Sequence, residues 1–141
     1  MQELNAAIVT IGDELLIGQV VDTNSAWIAQ QLNQHGIWLK QRISVGDNKE
    51  EIFQGLKTAE RDAKIIIITG GLGPTADDIT KPVLCEYFGG KMIVDEAVLA
   101  HIKYLFTEVF KRPLIERNLK QAEVPDVCTV LHNERGTAPG M

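Results

Sequence analysis

A glycine-rich loop with neighbouring carboxylates is the first stretch of this sequence that could perform chemistry. Segment 69–81 reads Thr-Gly-Gly-Leu-Gly-Pro-Thr-Ala-Asp-Asp-Ile-Thr-Lys and follows four consecutive isoleucines at 65–68. Glycines let the backbone turn sharply and approach a ligand, because they carry no Cβ. The apolar run 82–88 predicts a helix, with Asp78 or Thr80 as its N-cap. A strand, a glycine loop and a helix N-terminus in this order are typical of an anion site.

The loop matches neither of the two common nucleotide-binding motifs. A P-loop requires Gly-Lys-Ser/Thr after its spacer, and Gly71-Leu72-Gly73 is followed by Pro74-Thr75-Ala76, at best the alanine variant of the dinucleotide fingerprint. A loop that held phosphates by charge alone would not carry the acids Asp77 and Asp78. A loop that holds a phosphate-bound metal would carry them. The alternative is that one of the two aspartates is only a helix cap.

Three further loops carry acids or glycines directly after predicted strands. Loop 12–18 contains Gly12, Asp13 and Glu14, loop 46–48 contains Asp47, and loop 133–140 is rich in glycine and proline. Ligands of open α/β sheets bind beyond the carboxyl ends of the strands. We therefore expect loops 12–18, 46–48, 70–81 and 133–140 to converge on one rim. The alternative for Asp47 is that it caps the helix that follows.

The elements that must position these loops alternate between strands and helices. The isoleucine run predicts a strand buried on both faces, whereas 38–45 alternates like a more exposed strand. Helices are predicted from the cap candidates 22–25 through Gln34, with Ala26 facing inward and Trp27 partly buried, and at 49–62, 82–88, 95–111 and 116–123. Short strands are predicted at 6–11, 91–94 and 129–131. Repeated βα units predict a three-layer α/β/α fold with a mostly parallel sheet.

Length and charge restrict the possible functions. The chain has 141 residues, 45% of them hydrophobic, which suits one domain spanning 1–141. The net charge of -5 leaves no basic patch for duplex DNA or an anionic membrane. No apolar run is long enough for a membrane span and no basic leader is present, so we expect a cytoplasmic protein. The chain ends on a glycine-rich loop, which predicts a domain truncated at its C-terminal end.

Six spaced motifs resemble one known family. Thr69–Thr75 with Asp78 resembles the signature of the molybdopterin-binding MogA/MoaB-like fold. The wider set is similar to the N-terminal domain of the competence/damage-inducible CinA family, with Asp13 where many members carry threonine. The set comprises Gly12–Gln19, Asp22–Asn24, Val45–Asn48, the glycine loop, Asn118–Ala122 and Asn133–Gly140.

The resemblance implies an activity. It implies a metal-dependent pyrophosphatase that converts ADP-ribose, or a related dinucleotide, to AMP and ribose 5-phosphate. It also implies a homo-oligomer, a dimer or a trimer. Members usually continue into a nicotinamide-nucleotide amidohydrolase domain, which this sequence lacks. The alternative is a non-catalytic molybdopterin- or nucleotide-binding module, and a third possibility is an assembly role in competence or DNA damage without direct nucleic-acid contact.

The resemblance and the chemistry of pyrophosphate cleavage together give each residue an expected role. The reaction requires neutralised phosphate charge and a water aimed in line. Asp47, Asp78 and Lys81 are the expected catalytic residues. A divalent Mg, Mn or Co ion would be held by Glu14, Asp47 and Asp78. The expected substrate-binding residues are Asn24, Gly70, Gly71, Gly73, Thr75, Asn133, Gly136, Thr137, Ala138, Pro139 and Gly140. His35, His101 and His132 lie far apart in the sequence without metal-ligand spacing, and each is expected to be structural or solvent-facing.

Overall fold

Two compact units make up the chain, Met1–Gly71 and Leu72–Met141, and the computed structural model describes residues 4–141. The elements of the first unit are β1 (Asn5–Ile11), α1 (Asp13–Leu16), α2 (Thr23–Gln34), β2 (Trp38–Val45), α3 (Lys49–Asp62) and β3 (Ile65–Thr69). The elements of the second are α4 (Thr80–Tyr87), β4 (Met92–Val94), α5 (Glu96–Tyr104), a π-helical segment (Leu105–Phe110), α6 (Glu116–Leu119), a 3-10 turn (Lys120–Ala122) and β5 (Glu123–Pro125).

The first unit is built on a parallel sheet of three strands in the order β2-β1-β3. This confirms the predicted α/β class with a parallel sheet. The central strand is β1, which is buried from Ala6 to Ile11. The isoleucine strand β3 is only half-buried along its whole length, so the prediction that it is buried on both faces was wrong. The reason is its place in the sheet, because a strand on the outside has a partner along one edge only.

Helix capping in the first unit fixes where the loops begin. Among the candidates at 22–25, Asp22 is the N-cap of α2, and its carboxylate accepts the Ser25 N–H at 2.9 Å. The N-cap of α3 is Asn48, which accepts the Glu51 N–H at 2.9 Å. Asp47 is therefore not a helix cap, and its carboxylate is available for other partners.

Helices α2 and α3 differ in how deeply they are buried. The amphipathic α3 buries Ile52, Leu56 and Ala59 against β1 and β2, as its periodicity predicts. In α2 only Ser25 is fully buried, while Ala26 is exposed and Trp27 is 62% exposed. The predicted inward face of α2 was therefore wrong at these positions, because this helix contacts mainly the outer strand β2.

The second unit begins with the loop that leads into α4. This helix starts at Thr80 after Ile79, and no side chain caps it. The prediction that Asp78 or Thr80 caps the helix was wrong. The physical reason is that the Asp78 carboxylate accepts hydrogen bonds from its own loop.

The rest of the second unit departs from the predicted helix and strand boundaries. The strand predicted at 91–94 is β4, which pairs antiparallel with β5, a strand that the sequence did not predict and that begins at the last residue of the predicted helix 116–123. The helix predicted at 95–111 is α5 continued by the π-helical segment, and it ends at Lys111 in a left-handed conformation (φ 50°). Of the strand predicted at 129–131, only Leu131 forms a β-bridge, with Gly140.

Candidate functional site

Asp13 and Asp47 form a reciprocal pair at the carboxyl ends of β1 and β2. The Asp13 N–H donates to the Asp47 Oδ2, and the Asp47 N–H donates to the Asp13 Oδ1, each at 3.0 Å. The parallel pairing of β1 and β2 places Ile11 opposite Val45, so the residues that follow these strands meet at one edge. This arrangement brings together two of the loops that the sequence predicts to converge. Sequence reasoning named Asp47 as catalytic but gave Asp13 no role.

The carboxylates of Glu51 and Glu14 lie close to the backbone of Gly46 and Gly12, respectively. The Gly46 N–H donates to the Glu51 Oε2 at 2.6 Å, and a Cβ on Gly46 would lie 2.7 Å from the Asp13 Oδ1. The carboxylate of Glu14 lies over the Cα of Gly12. The acids of this edge are therefore packed closely against glycine backbone.

Gly70 allows the glycine loop to leave β3 close to the end of β1. Its φ is 96°, and a Cβ there would run into the backbone carbonyl of Ile11. No other residue type fits this position without strain. Gly71 follows, also at positive φ (61°). Gly70 and Gly71 both belong to the first unit. Because the strands are parallel, the loops that follow β1, β2 and β3 begin at one edge of the sheet.

In the second unit, Asp78 closes the loop from Gly73 to Thr75. Its carboxylate accepts the Thr75 N–H at 2.9 Å and the Thr75 hydroxyl at 2.5 Å. Partial burial raises the pKa of Asp78, but the hydrogen bonds from Thr75 and from the Gly73 backbone N–H outweigh burial, so this pKa lies below its usual value. A Cβ on Gly73 would lie 2.5 Å from the Asp78 Oδ2. The loop is therefore shaped around a charged carboxylate.

Lys81 is buried, and its ammonium is bound by backbone. The Nζ atom donates to the carbonyl of Gln121 at 2.9 Å and to the carbonyl of Glu123 at 2.8 Å. Burial lowers the pKa of Lys81, and the neighbouring Glu123 carboxylate offsets this only in part. The ammonium has three N–H donors, so these contacts use two of them.

Gln121 links three parts of the second unit and was not predicted as a site residue. It is 2% exposed. Its Nε2 donates to the Leu72 carbonyl at 3.0 Å, its Oε1 accepts from the Thr137 hydroxyl at 3.4 Å, and its carbonyl accepts from Lys81. The buried side-chain amide, through its two partners Leu72 and Thr137, fixes the glycine loop relative to the terminal loop, while Lys81 donates to the backbone carbonyl. The one signal in the sequence is its place in the Asn118–Ala122 motif.

Two neighbouring cavities lie along the glycine loop of the second unit. One of about 180 Å³ is lined by Gly73, Asp78, Lys81 and Gln121, among others. The other, of about 410 Å³, is lined by Ala76 and by Glu116 and Arg117 of α6. Pro74, Thr75 and Lys120 line both cavities. Three cationic side chains, Lys81, Arg117 and Lys120, and three acidic ones, Asp78, Glu116 and Glu123, therefore border the space beside the loop.

The terminal loop is a closed turn held by its first and last residues. Leu131 and Gly140 exchange backbone hydrogen bonds of 2.8 and 2.9 Å. Inside the turn, the Asn133 side chain donates to the Ala138 carbonyl at 2.8 Å and packs beside Gly136. Pro139 is buried. The expected binding residues of this segment thus form one compact turn.

His132, which precedes this turn, contacts α5. Its ring lies edge-on to that of His101, with 4.7 Å between the ring centroids. Nothing in the sequence indicates this contact, because the two histidines are 31 residues apart and meet only where the terminal loop packs on α5. Asn24, another expected substrate contact, is exposed in the first turn of α2.

The carboxylates of the described residues provide only some of the ligands that a divalent ion requires. Among residues 4–141, no three His, Cys, Asp or Glu side chains are grouped closely enough to hold a metal ion. Glu14 lies over Gly12 and Asp78 is engaged by Thr75, so the ligand set Glu14, Asp47 and Asp78 stays a prediction. The Asp13–Asp47 pair does fit Mg²⁺, which typically takes one or two protein carboxylates and completes its shell with phosphate and water.

None of the helices found in residues 4–141 combines the length and the apolar character that a membrane span requires.

Comparison with known proteins identifies the family of the chain. Residues 7–141 match the family model described as "Probable molybdopterin binding domain". A CinA-like protein of Flavobacterium psychrophilum is 51% identical over 138 residues, which cover 98% of this chain and 33% of the relative. The chain thus spans about a third of the length of this curated relative.

Solved structures agree with this assignment. The crystal structure of CinA from Thermoplasma acidophilum is 35% identical with a TM-score of 0.86, and the match covers 96% of this chain and 79% of that one. MoaB from Pyrococcus furiosus, a tungsten cofactor synthesizing protein, is 22% identical with a TM-score of 0.59 and coverages of 77% and 66%, and it shares the fold. The chain therefore belongs to the molybdopterin-binding domain family and, within it, to the CinA-like proteins.

Proposed function

We propose that this chain hydrolyses the pyrophosphate bond of ADP-ribose, or of a related dinucleotide, to AMP and ribose 5-phosphate with the help of a divalent metal ion. The resemblance to the CinA family implies this substrate. The observation that carries the proposal is the glycine loop of the second unit, which Asp78 closes beside cavities bordered by Lys81, Arg117 and Lys120.

The loop and its cations suit a diphosphate. Ammonium and guanidinium groups are usual partners of phosphate oxygens, whereas the N–H groups of Gly73 and Thr75 already donate to Asp78. The Asp78 carboxylate is not itself a phosphate ligand in this proposal. It holds the turn from Gly73 to Thr75 in shape. Lys81 keeps one N–H donor beyond its two carbonyl contacts, and Lys120 is exposed at the cavity wall.

The proposed reaction is an in-line displacement at phosphorus. A water oxygen forms a bond to one phosphorus as the bond from that phosphorus to the bridging oxygen breaks, and the bridging oxygen leaves with the other phosphate. A bound Mg, Mn or Co ion would supply charge neutralisation and a more acidic water. The carboxylates of Asp13 and Asp47 are of the type that would hold such an ion and orient a water. Lys81 would offset the charge that develops on the phosphates.

Incubation of the chain with ADP-ribose and each of several divalent ions tests this proposal. We expect AMP and ribose 5-phosphate in equal amounts, and no product after the metal has been removed with a chelator. Binding of ADP-ribose with no product formed in the presence of any of these ions would refute the hydrolase.

The second candidate function is a non-catalytic module that binds molybdopterin or a nucleotide. The observation that favours it is the match of residues 7–141 to a family model described by binding and not by a reaction. The same incubation separates the two candidates, since a binding module retains ADP-ribose intact.

A further inference from the structure

We propose that a separate cavity of the second unit binds the base of a nucleotide. It has a volume of about 470 Å³ and is lined by Phe106, Phe110, Arg112, Gly136 and Thr137. This inference rests on the proposed function in one respect, which is that the ligand is a nucleotide. Sequence reasoning placed Gly136 and Thr137 near the substrate, whereas the two phenylalanines and the arginine had no assigned role.

One of the two aromatic rings is held in place by the core, and the other is accessible to a planar ligand. Their centroids are 5.4 Å apart and their planes meet at 88°. Phe106 packs against the buried cluster of Val98, Ile102 and Ala122, so its position is set by the core. Phe110 is 42% exposed, although it is large and apolar. An aromatic side chain that stays accessible beside a cavity is suited to stacking on a base, since every base has a π-face.

The backbone turns sharply where these aromatics end, and this turn brings Arg112 to the cavity. Phe106 and Phe110 belong to the π-helical segment, a type of turn that is frequent at functional sites. Lys111 then takes a left-handed conformation, and the Arg112 N–H donates to the Phe106 carbonyl at 3.0 Å. The Arg112 guanidinium forms no ion pair with any residue from 4 to 141. An unpaired guanidinium can donate to the acceptor edge of a base or stack on its ring.

The base cavity is linked to the phosphate side of the unit through one contact. Thr137 lines the base cavity, and its hydroxyl donates to the side chain of Gln121. Gln121 in turn lines the cavity that contains Asp78 and Lys81. A hydrogen-bonded pair of side chains thus connects the aromatic cavity to a cavity that Lys81 and Lys120 line together with Asp78 and Glu123. A base stacks on aromatic rings and a phosphate accepts from ammonium groups, so the two cavities suit the two ends of one nucleotide.

Calorimetric titration with AMP and with ribose 5-phosphate tests the base site without need of turnover. We expect Phe110→Ala to weaken AMP binding about tenfold, the effect of losing one stacking partner, and to change ribose 5-phosphate binding less than about twofold. Phe110→Trp should retain the affinity for AMP because it restores a stacking surface.

The matched control is Phe88→Ala, which removes a more accessible phenylalanine (59% exposed) that does not line the cavity. It should leave both affinities unchanged, and thermal melting should show that each variant is folded. AMP binding that is equal in the parent and Phe110→Ala, a parallel loss of both ligands, or no AMP binding by the parent would each overturn the inference.

The two proposals fail in different ways. If the parent binds AMP in a Phe110-dependent manner but releases no AMP from ADP-ribose, the base site stands and the hydrolase does not. If Phe110→Ala hydrolyses ADP-ribose with the parent's KM and binds AMP normally, the hydrolase stands and the base site does not.

Discussion

Replacement of Lys81 by methionine separates the structural role of this residue from its proposed role in charge stabilisation. The side chains are similar in length, but methionine cannot donate to the carbonyls of Gln121 and Glu123, which the ammonium contacts at 2.9 and 2.8 Å. A hydrogen bond from a charged donor contributes about 1.5–3 kcal/mol. The loss of two such hydrogen bonds costs roughly 3–6 kcal/mol. The free energy gained because a charge is no longer buried must be subtracted from this cost.

We expect a net destabilisation of about 2–3 kcal/mol, because methionine no longer brings a charge into the interior. For a chain of this length, that corresponds to a melting temperature lower by about 10 °C. Circular dichroism on heating measures the change. Lys120→Met is the control, since it removes an exposed cation from the same cavity and should shift melting by less than about 2 °C. Equal melting of Lys81→Met and the parent would show that the two carbonyl contacts do not stabilise the fold.

The difference in stability between the parent and Lys81→Met changes with pH in a definite direction. Folding lowers the pKa of Lys81 from its ordinary value of 10.5, because burial penalises the ammonium. Below the lowered pKa both states hold the proton and the penalty is complete. As the pH rises toward the ordinary value, the folded state releases its proton first, so stability increases. Denaturant titrations should therefore show the stability of the parent rising relative to Lys81→Met as the pH is raised toward the ordinary lysine pKa of 10.5. A constant or falling difference would contradict the burial argument.

Two further substitutions test the contacts that shape the loop. Gly70→Ala should destabilise the fold by more than about 3 kcal/mol, because the new Cβ meets the carbonyl of Ile11 at a φ of 96°. Gly18→Ala is its control, with a φ of 76° but nothing near the new Cβ, and melting that is equally affected in both would refute the steric explanation. Gln121→Leu should reduce stability by about 2 kcal/mol in denaturant titrations, because the half-buried Leu72 carbonyl loses its donor. An unchanged midpoint would show that this amide does not fix the loop.

Local patterns in the sequence predicted the elements whose causes are local. The α3 helix follows from its apolar periodicity, and its bounds match the prediction from Lys49 to Asp62. The parallel sheet follows from alternating strands and helices. The burial of β3 did not follow, because the isoleucines do not indicate which strand is central. The choice between Asp47 and Asn48 as helix cap likewise depended on where β2 ends, since both residue types are good caps.

The site was predictable where one loop makes it, and less so where distant segments meet. The glycine loop with Asp78 is contiguous, so its residues could be named from the sequence. The reciprocal pairing of Asp13 with Asp47 joins residues 34 positions apart through the register of β1 and β2. Gln121 has the polarity of a surface residue, and only its partners explain its burial. Periodicity carries no information about such partners.

The most direct test of the proposed hydrolase is the rate of AMP release from ADP-ribose by three aspartate-to-asparagine variants. Asp47→Asn and Asp78→Asn remove carboxylates that the proposal requires, whereas Asp77→Asn removes an exposed neighbour in the same loop. We expect kcat/KM to fall at least about a hundredfold in the first two and to stay within about threefold of the parent in the third. Hydrolysis at the parent rate by both Asp47→Asn and Asp78→Asn would contradict the account.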